Sequence, residues 1–162
     1  MDQSTESDFL TDSLPAQKSD ISRSGIERKI VAIDVACLVL VNGQRRFLTT
    51  LRPPHKALGN HWEFPGGKVE CDEKPEDALR RELREELHLE VGALEPLPRT
   101  THTYEFAAIQ LMPFLSFCQG LPSIHLTEHT AYRWVTMNEA MELQWAPADL
   151  PILENLESHF RA

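Results

Sequence analysis

From Lys29 to Val41 the chain reads KIVAIDVACLVLV, a run of β-branched and aliphatic residues expected to form a buried strand. Asn42-Gly43 follows as a two-residue hairpin signal, and QRRFLTTLR is expected to return as the partner strand. PPHKALGNHW reads as a loop and Pro65-Gly66-Gly67 as a turn. A helix is predicted from about Pro75, a good first-turn residue, to His88. At ~100° per residue Leu79, Leu83 and Leu87 cover one arc of roughly 80°, which would dock that helix on a sheet.

Downstream, TTHTYEFAAIQLMPFLSFC supplies one or two further strands and AYRWVT another. Thr136, with Glu139 three residues on, forms a capping-box pattern that opens a short helix, MNEAMEL. ADLPILENLESHF reads as a C-terminal helix with Leu150, Leu153 and Leu156 towards the core. The order strand, strand, helix, strands, helix predicts an α+β fold with a mixed-sheet sandwich.

Residues 1–27 are rich in Ser, Asp, Glu and Thr with few large apolar side chains, the composition of a disordered or loosely attached tail. That leaves residues 28–162 as one folded domain, a size that suits 162 residues of which 41% are hydrophobic. No apolar run reaches the ~18 residues of a membrane span. The polar, acidic N-terminus lacks the basic and apolar regions of a secretory signal. Cys37, Cys71 and Cys118 are scattered without a C-x-x-C pair, against a disulfide framework or thiolate zinc site, so a reducing cytoplasm is the expected location. A net charge of −9 makes duplex nucleic acid a poor partner. A small polyanion fits, provided that divalent cations supply positive charge.

That requirement meets the predicted helix, where Glu82, Glu85 and Glu86 cover an arc of about 100° beside the leucines. Like charges at these spacings cost roughly 0.2–0.5 kcal/mol per pair, and Arg81 offsets only part of the repulsion. A solvated acidic face is one reading. The other is a hard-cation site, since Mg²⁺ and Mn²⁺ prefer carboxylate and carbonyl oxygens. The preceding glycines, without Cβ atoms, permit close backbone approach to a ligand.

From Gly67, five residues lead to Glu73, and seven more to Arg81-Glu82-Leu83, then Glu85-Glu86, then Leu89. This resembles the Nudix box, and every specified position matches except His88, which stands where the pattern has glycine. That glycine would be a left-handed helix cap, a conformation histidine tolerates better than most residues. WEFPGGKVE and WAPADLPIL are similar to segments of the MutT-like branch, including members that cleave cytidine triphosphate. The resemblance spans about residues 30–160. It implies a Nudix α/β/α sandwich and hydrolysis of nucleoside triphosphates to monophosphate and pyrophosphate, as in nucleotide-pool sanitation and DNA repair.

The resemblance also implies roles. The Gly67 carbonyl with Glu82 and Glu86 would hold Mg²⁺ (or Mn²⁺), with Glu85 completing or supporting the cluster. Glu128 matches a loop glutamate at the metal site and is the candidate general base, with Glu85 its rival. Arg52 and Lys68 are candidates for the triphosphate, a guanidinium being suited to phosphate oxygens. Glu73 and Arg81 are assigned mainly to structure. Asp149 matches an asparagine that reads an oxidised guanine base; an ionised aspartate cannot donate, which favours a cytosine-type or differently posed purine ring. Asp149 would equally serve as a helix N-cap. Phe106 and Trp145 would stack on a base or join the core, and Phe64 is expected in the core. The seven histidines form no metal pattern, and His125 and His129 are expected as loop residues.

Three functions compete. The first is Mg²⁺-dependent cleavage of nucleoside triphosphates by a monomer or homodimer, acting on 8-oxo-dGTP or modified cytidine nucleotides. The second is cleavage of another nucleoside diphosphate derivative, such as a dinucleoside polyphosphate or ADP-ribose. The third is a non-catalytic nucleotide-binding module, which would not need so repulsive a cluster.

Overall fold

The structure, a computed structural model, describes residues 30–161, so the proposed N-terminal tail lies outside the described residues. Eight strands form one mixed sheet among them. The central strand β1 (Ala32–Asn42) runs parallel to β7 (Ala108–Cys118) over their full lengths, from Ala32 opposite Ala108 to Asn42 opposite Cys118. β2 (Phe47–Leu51) lies antiparallel to β1 and carries β3 (Trp62–Glu63) and β8 (Ala131–Val135), both antiparallel. β4 (Gly66–Lys68) also pairs antiparallel with β1, while β5 (Glu95–Pro96) and β6 (Thr100–Thr103) pair with β7.

β1 has apolar residues at nearly every position because both of its faces are covered. Ala36, Leu38 and Leu40 pack under helix α1 (Pro75–Leu87) against Leu79, Leu83 and Leu87. Cys37, Val39 and Val41 face the opposite core, built on Trp62, Phe64, Trp145, Ile152, Leu153 and Leu156. Helices α2 (Met137–Met141) and α3 (Leu150–Arg161) supply the other layer. The expected α/β/α sandwich with a mixed sheet is therefore present.

Local signals explain the element ends. Thr136 accepts a hydrogen bond from the Glu139 N–H at 3.2 Å, and Glu139 Oε2 accepts the Thr136 N–H at 2.8 Å, closing the expected capping box. α1 ends at His88, which adopts φ 51°; the His88 N–H reaches the Arg84 carbonyl at 3.2 Å and the Leu89 N–H the Leu83 carbonyl at 3.1 Å. A histidine thus takes the left-handed cap usually held by glycine.

Three expectations need correction. The first hairpin is longer than two residues: Asn42 pairs with Arg46, and Asn42 Oδ1 accepts the Gln44 and Arg46 N–H groups at 3.0 Å each. The left-handed position is taken by Arg45 at φ 58°. Gly66 and Gly67 belong to a strand, β4, which approaches β1 so closely that a Cβ on Gly66 would strike the Ala36 backbone. Leu150 is exposed, and Ile152 takes its place in the core, because positions 152, 153 and 156 share one arc of the helix.

Candidate active site

A cleft of about 920 Å³ opens where β4, the second half of α1 and the loops after β2 and β7 meet. The leucines of α1 are buried against the sheet, which turns the glutamates towards this opening. They are graded in depth: the side chains of Glu82, Glu86 and Glu85 are 15%, 19% and 61% exposed. Glu82 lies over Gly67, where a Cβ would fall under 3.0 Å from its carboxyl group.

Arg81 braces the cluster. Its Nε and Nη2 donate to the two oxygens of Glu73 at 2.9 and 3.0 Å, Nη1 donates to Glu82 at 2.7 Å, and Nη2 donates to the Lys68 carbonyl at 3.1 Å. Glu85 Oε2 stands 3.6 Å from Nη1. The expected structural role of Glu73 and Arg81 is met by this bidentate pair.

Glu86 has no arginine partner among the described residues and shares a hydrogen bond with Glu128. Burial, and then the negative charges of Glu82, Glu128 and Glu63, push its pKa to about 8. Glu82 is likewise raised, chiefly by burial, with Glu85 and Glu128 adding to it against the pull of Arg81. Glu128 comes in from the loop before β8 and holds Lys56 Nζ at 2.9 Å; that bond keeps its carboxyl below the usual range. Carboxylates so placed match a hard divalent cation. The glycine cradle under Glu82 and the buried Glu86 carboxyl, surrounded by other carboxylates, both fit such an ion.

Two residues that sequence reasoning did not place in the site are central to it. Glu63 accepts from Arg52 Nη1 at 2.9 Å and contacts His129 Nε2 at 2.9 Å. Burial opposes its ionisation, but the His129 bond and the Arg52 charge prevail and lower its pKa. His129 is a loop residue, as expected, but a buried one: its side chain is 6% exposed, and its Nδ1, with no hydrogen-bond partner among the described residues, stands 4.0 Å from Glu86 Oε2. The only sequence signal for His129 was its place next to Glu128.

Arg52 and Lys68 line the cleft, and Arg52 also donates through Nε to the Ala57 carbonyl at 2.8 Å. Asp149 is buried at the end of a 3-10 turn, Pro147–Asp149, and its Oδ1 accepts the Phe64 N–H at 2.9 Å. One oxygen of its carboxyl thus serves the Phe64 amide across the chain, and the residue lines the cleft. Burial, and then Glu63, raise the Asp149 pKa well above the ordinary value. Phe64 and Trp145 are core residues with ring centroids 4.8 Å apart. Phe106 is neither core nor cleft lining: it is 41% exposed and stacks on Tyr104, which does line the cleft.

No helix among the described residues is long and apolar enough to cross a membrane. The model of the NUDIX domain matches residues 32–156. The chain is 36% identical over 124 residues to a CTP pyrophosphohydrolase of Escherichia coli, spanning 74% of this chain and 87% of that protein. It is 36% identical over 83 residues to an 8-oxo-dGTP diphosphatase of Proteus vulgaris, spanning 51% of this chain and 74% of that protein. Among solved structures, a MutT protein from Methanosarcina mazei superposes with a TM-score of 0.74 at 20% identity, over 83% of this chain and 99% of that one.

Proposed function

This chain belongs to the Nudix family of hydrolases, and we propose that it cleaves (deoxy)nucleoside triphosphates to nucleoside monophosphate and pyrophosphate with Mg²⁺. The observation that carries this reading is the convergence of Glu82, Glu86 and Glu128 on one cleft beside Gly67, with the Glu86 pKa displaced to about 8. A binding module would gain nothing from three carboxylates that repel one another.

Glu82, Glu86 and the Gly67 carbonyl would hold the ion, with Glu128 and Glu85 at its margin. Mg²⁺ or Mn²⁺, when bound, supplies charge neutralisation and acidifies water at the phosphate. Arg52 and Lys68 line the path of the triphosphate and orient its oxygens, the larger part of catalysis in phosphoryl transfer. Glu128, kept ionised by Lys56, takes the proton of the attacking water. Glu85 is the weaker candidate for that step because it is exposed and faces Arg81.

Asp149 reads the base. The E. coli relative named for CTP and the carboxyl at this position together support cytidine nucleotides as substrates, and clearance of modified cytidine nucleotides as the role; 8-oxo-dGTP as a substrate rests on the name of the Proteus relative. The test is a nucleotide panel with Mg²⁺, assayed for phosphate before and after addition of inorganic pyrophosphatase. Phosphate that appears only with the pyrophosphatase supports the reading. Phosphate released without it means that a different bond is cut.

A further inference from the structure

Away from the α1 carboxylates, the cleft is walled by Val35, Cys37 and Leu111, and Tyr104 and Asp149 are among its polar groups, with Glu63 and Arg52 near both. Tyr104 and Asp149 are both fixed by backbone amides. Ala148 N–H donates to the Tyr104 hydroxyl oxygen at 3.0 Å, and Phe64 N–H donates to Asp149 Oδ1 at 2.9 Å. The Tyr104 ring is clamped between His102, edge-on at 4.4 Å, and Phe106, stacked at 5.2 Å with planes 1° apart.

A hydroxyl has one proton to give and two lone pairs. One lone pair of Tyr104 is used by Ala148, and no described residue accepts the proton. The cleft therefore presents a preorganised O–H donor beside a carboxyl group, which in its ionised form is an acceptor only. An O–H next to an acceptor is complementary to an exocyclic amine next to a bare ring nitrogen. Cytosine has that edge: N4–H donates to Asp149 while N3 accepts from Tyr104. Uracil in the same pose sets N3–H against the Tyr104 O–H and a carbonyl against Asp149, and guanine carries an N–H beside its amine on its Watson–Crick edge, its bare N3 lying on the sugar side.

We propose that the Tyr104 hydroxyl is a specificity-determining group that donates to the ring nitrogen beside the exocyclic amine, selecting the cytosine edge over those of uracil and guanine. This rests on the reading of the cleft as a nucleoside triphosphate site. Adenine carries the same edge on a larger ring, and any turnover of ATP depends on Tyr104 in the same way.

The experiment is a cycle of one side chain against one atom of substrate, with CTP, UTP and 3-deaza-CTP, which has C–H in place of N3. Wild type is expected to lose about tenfold in kcat/KM between CTP and 3-deaza-CTP, mainly through KM. Tyr104→Phe, which keeps the ring, is expected to lose about tenfold on CTP, to change UTP by less than about twofold, and to show no further loss on 3-deaza-CTP. Additive losses, or equal losses on CTP and UTP, overturn the proposal. Should Tyr104→Phe fail to fold, wild type decides alone: equal kcat/KM for CTP and 3-deaza-CTP overturns it and the tenfold drop supports it. If wild type releases pyrophosphate from no triphosphate, the hydrolase reading fails by itself. The Tyr104 assignment is then decided by calorimetry, where CMP binding more tightly than 3-deaza-CMP supports it and equal affinity overturns it.

Discussion

Glu82 lays its carboxyl group over the bare α-carbon of Gly67, so that a Cβ at position 67 would come under 3.0 Å from three atoms of the Glu82 side chain. The atoms in the way are the far end of a flexible chain rather than backbone, so relief comes by displacing that carboxylate. Gly67→Ala is therefore expected to keep the fold, with a melting temperature within a few degrees, while activity falls by about two orders of magnitude. Circular dichroism and a pyrophosphate-release assay on one preparation check this. Near-normal turnover removes the cradle from the site.

The pH response of the metal-free protein follows from Glu86. Its folded-state pKa of about 8 lies above the ordinary carboxyl value, so the folded protein binds this proton more tightly than the unfolded chain does. That contribution to stability is complete at pH values below the ordinary carboxyl pKa and disappears as pH rises through about 8. A cation competes with the same proton. Mg²⁺ affinity is expected to rise by up to about tenfold per pH unit below pH 8 and to level off above it. Calorimetric scans and Mg²⁺ titrations at several pH values measure both slopes.

Asp149 separates base reading from structural support. Asp149→Asn retains an oxygen for the Phe64 N–H and is expected to cost less than about 1 kcal/mol, while changing the ranking of nucleotide substrates. Asp149→Ala strands that buried N–H and is expected to cost about 1–3 kcal/mol. Denaturant melts of both variants beside a nucleotide panel provide the comparison. Unchanged ranking in Asp149→Asn would leave Asp149 only a structural role.

At the other end of α1, His88→Gly relaxes a left-handed residue and is expected to gain about 0.5–1 kcal/mol without changing kcat. The loss of the His88–His125 ring contact, at 5.6 Å between centroids, works against this gain. Urea denaturation measures the balance.

Much of this molecule was legible in the chain because its strongest signals are local. The leucine arc of α1, the Thr136–Glu139 capping box and the left-handed site at His88 each depend on residues a few positions apart, and each is found as expected. What was not legible depends on distant pairing. Nothing in the sequence of β1 names its parallel partner β7, and the acceptor at Asp149 is taken by Phe64, 85 positions away. His129 and Tyr104 were missed for the same reason. His129 stands out only once Glu63 is brought to its ring, and Tyr104 only once Ala148 fixes its hydroxyl. The cleft carboxylates were legible because a fixed spacing on one helix sets their mutual positions.

Titration calorimetry of Mg²⁺ into the full chain with α,β-methylene-CTP, which cannot be cleaved at that bond, tests the central claim most directly. Saturable ion uptake is predicted for wild type, with Glu86→Gln, folded as wild type, losing about tenfold or more in affinity. Absence of uptake in wild type, with or without the nucleotide, or identical titrations for the two proteins, would contradict the account.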